Sequence, residues 1–342
     1  MSSALTSPFA TRRKVVLAAR PIGMPALSDF ALEEEPVGEP DIGQVDVAVD
    51  VLSIDAFIRT VMEERSYHQS LKLGDTLAAI GVGHVLRSTV AQFQPGDHVF
   101  GGLGAQTVAT LPASLLRKID VSQVPATTYL GALGLTSGVT AYFGVVEVGA
   151  VQPGETVVVS AAAGAVGSLA GQIARNAGAK RVIGIAGGPA KVAFLVDELG
   201  FDAGIDYKSE SVEQRLATLA PDGIDVFYDN VGGDMLDAAL MHIREGSRVV
   251  ICGGISNYLD MDHVAGPRNY LKLAERHARM EGFAVTHFSA RFPEAEAALR
   301  GWLSDGKLIV REQYEHGIER FAHALRTLLS GGHTGKMLLD LR

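Results

Sequence analysis

The stretch ETVVVSAAAGAVGSLAGQIARNAGAKRVIGIAGGPAK, residues 155–191, decides the fold. Its apolar run from Thr156 to Val159 predicts a strand. Small residues follow, then an amphipathic helix from near Val166, then a second strand from Arg181 to Ile185. Strand, small-residue turn, helix and strand form the first half of a dinucleotide-binding unit. The first N–H groups of a helix have no partner inside it. They point at whatever lies over the helix start, where the dipole favours a pyrophosphate. A side chain there would hold the phosphate away. Gly164 and Gly167 stand where the second and third glycines of G-x-G-x-x-G belong, with Ala162 in place of the first. The same small residues would also suit a turn that only packs its helix close to the strand.

The end of the second strand bears on which dinucleotide fits. An enzyme selecting NAD usually carries an acidic residue about 20 residues past the turn, on the ribose 2′-hydroxyl. Here Ile185 is followed by Ala186, Gly187, Gly188 and Pro189, and then by Lys191. A strand end without a carboxylate, followed by a cation, suits a 2′-phosphate. One charge-assisted bond of ~1.5–3 kcal/mol would favour NADP roughly ten- to hundredfold. The alternative is a solvated lysine at a helix start.

The rest of the chain sets limits. Its 342 residues are enough for two domains, and a net charge of −9 leaves no basic surplus for nucleic acid. The single cysteine, Cys252, allows no intrachain disulfide, which fits a reducing cytoplasm, and excludes a Cys₄ zinc site. The first twenty residues lack the apolar core of a signal peptide. Residues 121–146 carry no formal charge, but Pro125 and the interspersed Gly, Ser, Thr and Gln predict a buried helix with turns rather than a membrane span.

Residues 13–53 read as short β runs, RKVVLAA and QVDVAVDVLSI, separated by turn-rich EEEPVGEPDIG. Residues 74–112 continue in that manner. From about 128 the pattern alternates, with strands expected at 156–159, 181–185, 203–206, 225–228, 248–252 and 280–285. Helices are expected at 166–177, 190–199, 210–219, 234–243 and 268–275. Such alternation predicts a parallel sheet with helices on both faces. A helix at 293–304, a strand near 308–313 and a helix at 318–330 follow. The tail KMLLDL is expected to return as a strand to the first domain.

Seven stretches carry a family resemblance: TAYFG (140–144), AAAGAVGSLAGQIA (161–174), ELGFDAGIDYK (198–208), PDGIDVFYDNVGG (221–233), ICGGISNY (251–258), GPRNYL (266–271) and RMEGFAV (279–285). With them the chain resembles, over nearly its whole length, the zinc-independent branch of the medium-chain dehydrogenase/reductases. That branch holds leukotriene B4 12-hydroxydehydrogenase/prostaglandin reductases, plant 2-alkenal reductases and bacterial curcumin reductase.

The resemblance implies an α/β fold in two parts. A mostly-β GroES-like domain would span 1–127 with 303–342, and a Rossmann-type NADP-binding domain 128–302. It implies NADPH as cofactor and a homodimer paired through edge strands, for which the run 279–285 is a candidate edge. It implies that Gly164, Ala165, Val166 and Gly167 hold the pyrophosphate, and that Lys191 and Tyr207 grip the phosphorylated ribose. Asn230 would lie beside the cofactor. The loop Cys252, Gly253, Gly254, Ile255, Ser256, Asn257 and Tyr258 would run along the nicotinamide ribose, with Phe283, Ala284 and Val285 near the nicotinamide.

The implied reaction is reduction of a carbon–carbon double bond conjugated to a carbonyl in a small-molecule substrate. Tyr258 is the candidate donor to the developing enolate oxygen, or else a ring that only positions the nicotinamide. A quinone reductase on the same fold is the alternative activity. Phe57, Met62 and Tyr67 are candidate pocket walls.

Three positions depart from the relatives: DAFIR (55–59) for D-P-Y-M-R, Gly104-Ala105-Gln106 for Gly-Trp-Gln, and His333 in GGHTGK where Asn is frequent, a position that the resemblance implies is cofactor-binding and from which His333 in a suitable tautomer would donate one hydrogen bond. No metal is expected. His84 follows Gly83 as in zinc enzymes, but Val85 replaces the usual Glu.

Overall fold

The computed structural model describes residues 9–64 and 69–342. Contacts divide the chain into two compact units. The first holds residues up to Leu130 with Gln313–Gly332 and Met337–Arg342; the second holds Gly131–Glu312 with His333–Lys336. The C-terminal return, expected as one piece from 303, is thus shared: 303–312 and His333–Lys336 belong to the second unit. The first unit begins with an antiparallel pair, Thr11–Leu17 with Phe30–Pro36. The start of the stretch expected as turn, Glu33–Pro36, is therefore strand, and 37–43 is turn or loop as expected. Its register explains why: Arg12, Arg13 and Lys14 stand opposite Glu35, Glu34 and Glu33, and opposite charges directly across a ladder favour pairing.

The main sheet of this unit has seven strands. Gln44–Ser53 lies at its centre, between Gly81–Ser88 and the C-terminal strand Lys336–Asp340, and also pairs with Val108–Pro112.

The second unit is built on six strands, all parallel: Thr156–Val159, Arg181–Ala186, Ala203–Asp206, Ile224–Asp229, Ile243–Ile251 and Arg279–Gly282. Counted in chain order, they lie side by side as 3-2-1-4-5-6. That is the doubly wound dinucleotide-binding order, with its switch point between the first and fourth strands. Val157, Val158, Val159, Ile183, Val226 and Phe227 are buried, as expected for parallel strands covered on both faces.

Several boundaries differ from the sequence reading. The strand expected near 308–313 lies at Glu312–His316. Residue 309 is drawn off the sheet by Gln172, whose side chain accepts from the Ile309 N–H at 2.7 Å and donates to its carbonyl at 3.0 Å. The last parallel strand stops at Gly282, and Val285–Arg291 turns into a 3₁₀ segment. The helix expected over 190–199 is a short α segment, Pro189–Ala193, that widens into a π turn over Phe194–Glu198. Residues 126–148 form a chain of short helical segments. Among the described residues no helix is long and apolar enough to cross a membrane.

Candidate active site

Everything in this section lies in the second unit unless stated. The helix Ala165–Asn176 starts at Gly164, whose backbone is extended (φ −87°, ψ 178°). Gly164 is open: an added Cβ would meet only the Ala161 carbonyl oxygen, at 3.3 Å. Gly167 is closed: a Cβ there would lie 2.4 Å from that oxygen and 2.8 Å from the Ala162 Cα. The two glycines therefore differ in purpose. One leaves space over the helix start, and the other lets the helix press onto the turn. The left-handed residue of the turn is Ala161 (φ 46°), a conformation that costs a non-glycine residue ~1–2 kcal/mol. Ala162, where the motif's first glycine was sought, is buried against the second strand, its Cβ leaving no room for a side chain at Gly184.

At the end of the second strand the chain turns through Gly187 and Gly188, the latter at φ 95°. The turn is fixed by Asp206, at the end of the third strand. Its carboxylate accepts from the Gly188 N–H (2.6 Å), the Lys208 N–H (3.0 Å) and the Ser209 hydroxyl (2.8 Å). The Gly188 bond first, then the Ser209 bond, holds this carboxyl below its usual range. A carboxylate so occupied is tied to the turn, not offered to a ribose. The Tyr207 ring and the Lys208 stem lie over Gly187, where a Cβ would come within 2.9 Å of each. Lys191 is half-buried, and desolvation first, then the Lys208 charge, lowers its pKa. Two ammonium groups thus repel one another here.

At the opposite side of the switch point, the ends of the first, fourth and fifth strands are stitched together by Asp229. Its buried carboxylate accepts from the Ser160 hydroxyl (2.7 Å), the Val231 N–H (2.9 Å) and the Gly232 N–H (3.0 Å). Burial pushes that carboxyl upward, and these bonds pull it back. Asn230 donates to the Ser160 carbonyl at 2.8 Å, while its own carbonyl accepts from Ile255 at 3.2 Å. The Asp229 carbonyl accepts from Cys252 (2.9 Å) and Gly253 (3.2 Å), and Val231 accepts from both the backbone and the hydroxyl of Ser256. The loop 252–258 is thereby pinned along the 229–233 turn. Inside it, the Gly254 N–H donates to the Tyr258 hydroxyl oxygen at 3.3 Å, and Asn257 faces Gly232 and Gly254.

The Cys252 thiol sits against the wholly buried Tyr228, and desolvation pushes its pKa up to about 12. A thiol so protonated is a packing group, not a nucleophile. The Phe283 ring packs on Gly144 beside Tyr228, where a Cβ would meet it at 2.9 Å, and continues through Phe288 to Phe143. Ala284 is exposed and Val285 half-buried at the start of the 3₁₀ segment.

His333 arrives from the C-terminal return. Gly335 donates to the Ala163 carbonyl at 2.7 Å and bridges Gly164, which docks the segment on the pyrophosphate turn. In the first unit, Phe57 is half-buried at a helix start and Met62 is fully buried in the core. Tyr67 lies outside the described residues.

Comparison with known proteins gives the family. Profiles described as "N-terminal domain of oxidoreductase" and "Zinc-binding dehydrogenase" match residues 13–119 and 165–300. The NADPH-dependent curcumin reductase of Escherichia coli is 35% identical over 96% of each chain. The NADP(+)-dependent 2-alkenal reductase of Nicotiana tabacum is 37% identical, over 96% of this chain and 97% of its own. Among solved structures, CurA of Vibrio vulnificus in complex with NADPH superposes with a TM-score of 0.90 at 34% identity, covering 96% of this chain and 99% of that one. The chain belongs to the medium-chain dehydrogenase/reductase family.

Within this family the second profile's description raises the question of zinc. The donor set here does not fit it. The sole cysteine lies just past the fifth strand of the second unit, and desolvation pushes its thiol pKa up. In the first unit, His84 has its Nδ1 on Asp50 at 3.0 Å, and among the described residues no group of three His, Cys, Asp or Glu could hold a metal ion. The residues do fit a dinucleotide: an open glycine over a helix start, a strand end without a competing carboxylate, and two lysines facing one another.

Two residues of this site escaped the sequence reading. Asp229 stood in the quoted DNVGG, but only its neighbour Asn230 was assigned a role. Lys208 stood beside Tyr207, and nothing in a one-dimensional pattern tells a strand-end lysine that folds back over a glycine from a solvated one.

Proposed function

We infer that this chain is an NADPH-dependent reductase of carbon–carbon double bonds conjugated to a carbonyl. The observation that carries the reading is the similarity over 96% of the chain to curcumin and 2-alkenal reductases; the strand end where Lys191 and Lys208 face one another supports it. Gly164, Ala165, Val166 and Gly167 would hold the pyrophosphate, and Lys191, Tyr207 and Lys208 the 2′-phosphate end. Asn230 and the loop 252–258 would line the nicotinamide ribose, with Phe283, Ala284 and Val285 beyond.

When bound, NADPH supplies the hydride that adds to the β-carbon of the substrate. Negative charge then grows on the carbonyl oxygen. Tyr258 is assigned the role of donor to that oxygen. Its own oxygen accepts from the Gly254 N–H, which polarises the O–H toward donation. The α-carbon takes its proton from solvent or from this hydroxyl. The rigid seam from Asp229 through Asn230 and Ser256 keeps the tyrosine's loop in one place, which is what a preorganised donor requires.

The test is loss of NADPH absorbance, and separately of NADH absorbance, on adding a panel of enals, enones and quinones, with products identified by mass. Saturated carbonyl products and selective use of NADPH are expected. Consumption only with quinones would overturn the reading in favour of a quinone reductase. In the same assay, Lys191→Ala should cut the preference for NADPH over NADH by roughly tenfold or more.

We assign the chain to the cytoplasm, on the strength of its single free cysteine, and to a homodimer. The strand Arg279–Gly282 ends the six-stranded sheet with all four residues exposed, and an unpaired edge invites a second copy. A monomeric mass at micromolar concentration would overturn the dimer.

A further inference from the structure

The last parallel strand ends at Gly282, so Phe283, Ala284 and Val285 lie beyond the ladder. The backbone bond that Ala284 makes is local, its carbonyl accepting from the His287 N–H at 3.0 Å. Side chains of this stretch, and of the 3₁₀ segment Val285–Arg291 that continues it, tie it to the body of the second unit.

Three of them meet the short helical segments at 140–148. The Phe283 ring packs on Gly144, where a Cβ would meet it at 2.9 Å. The Phe288 ring stands edge-on to Phe283, with centroids 6.2 Å apart, and lies parallel to the wholly buried Phe143 at 4.5 Å. Arg291 adds the third contact, its guanidinium carbon 5.6 Å from the centre of the Phe143 ring. Two carboxylates fix that guanidinium. It donates to Glu147 at 2.6 Å and, as a fork, to the two oxygens of Glu294 at 2.8 and 2.9 Å. Glu294 also accepts from the Tyr142 hydroxyl at 3.0 Å. A lone exposed ion pair contributes little to stability, and the Arg291 side chain is 41% exposed. A forked pair inside a network is the exception, and attraction of the cation to the ring adds to it.

We propose that Arg291 is a positioning residue for the nicotinamide end of the bound cofactor. Clamped by Glu147 and Glu294, it holds the stack of Phe143, Phe288 and Phe283, and the stack fixes the 283–285 backbone. The proposal rests on the reading of the chain as an NADPH enzyme with its nicotinamide beside 283–285. Arg291 acts through geometry alone. Hydride transfer needs donor and acceptor in near-contact alignment, and a shift of about 1 Å can cost roughly a hundredfold in rate. The phosphates are assigned to 164–167 and Lys191, so loss of the clamp should spare them.

Two ligands separate the ends of the cofactor: NADPH, and 2′-phospho-ADP-ribose, which has the same phosphates and no nicotinamide. Calorimetry gives both Kd values for the wild type, Arg291→Met and Phe288→Leu. Methionine keeps an apolar chain near the ring and removes the charge and the fork; Phe288→Leu breaks the stack without touching the ion pairs. In both variants the Kd of 2′-phospho-ADP-ribose should not change. The affinity that NADPH gains over it should shrink roughly tenfold, about the worth of one hydrogen bond. Single-turnover hydride transfer to an enone that the wild type reduces should fall by about a hundredfold.

An unchanged advantage of NADPH, with unchanged hydride transfer, overturns the proposal. Equal weakening of both ligands also overturns it, because the clamp would then support the whole unit and not the nicotinamide end. A wild type that binds neither ligand overturns the functional reading itself. A wild type that binds both and reduces enones, with variants that match it, overturns only the role of Arg291.

Discussion

Tyr258→Phe should leave NADPH binding unchanged and lower turnover on an enone by about a hundred- to a thousandfold, the usual cost of removing one donor to a developing oxyanion. The substitution removes only the hydroxyl. The phenyl ring keeps whatever stacking the tyrosine provides, so a purely positioning tyrosine would survive it. The Gly254 N–H loses its acceptor at 3.3 Å, a bond long enough to be a minor term for the loop. The 252–258 segment is held chiefly by the bonds from Cys252, Gly253, Ile255 and Ser256 to the 229–231 backbone, which the variant does not touch. Stopped-flow turnover and cofactor titration read the two quantities separately. Unchanged turnover would remove Tyr258 from the chemistry.

Gly167→Ala should cost both stability and NADPH affinity, and Gly164→Ala shows why the comparison is informative. At Gly167 the new Cβ would fall 2.4 Å from the Ala161 carbonyl oxygen and 2.8 Å from the Ala162 Cα. Both are backbone atoms, so no side chain can rotate aside. The helix must lift from its turn, at a cost of ~1–3 kcal/mol for an overpacked site. The same movement withdraws the N–H groups from the phosphate position, so the NADPH Kd should rise tenfold or more. At Gly164 the nearest atom is 3.3 Å away, and the added methyl protrudes into the space left for the ligand. Gly164→Ala should therefore weaken NADPH binding while moving Tm little. Thermal melts without cofactor, beside Kd values, separate the two; equal losses of Tm would refute the division of labour.

The parallel sheet was readable because its strands are short apolar runs, buried on both faces, and helices of about ten residues punctuate them. Thr156–Val159 and Ala203–Asp206 begin and end where the pattern places them. What escaped the pattern was decided by partners distant in sequence. Residues 33–35 look like a solvated acidic turn until Arg12, Arg13 and Lys14 are set across from them. Residue 309 looks like strand until Gln172, 137 positions earlier, takes both of its backbone groups.

The glycine motif was legible in kind but not in detail. The spacing located the turn. It did not show that the left-handed residue is Ala161, because periodicity carries no information about φ. Lys191 and Tyr207 were visible as residue types after strands. The occupation of Asp206 by its own turn was not visible, although it is what leaves the strand end without a competing carboxylate.

The position of the last strand has a consequence for biosynthesis. Residues from Met337 onward lie in the interior of the first unit's sheet, between Glu312–His316 and Gln44–Ser53, where Leu338 stands opposite Ser53 and Leu339 opposite Leu52. A ribosome releases Gln44–Ser53 long before it makes that neighbour. The nucleotide sheet, whose six strands all lie between Thr156 and Gly282, is complete while the first unit still lacks the strand that closes it. The part of the molecule made first therefore finishes folding last. Until then an apolar strand edge stands open on the nascent chain, the kind of edge that chaperones cover and aggregates exploit.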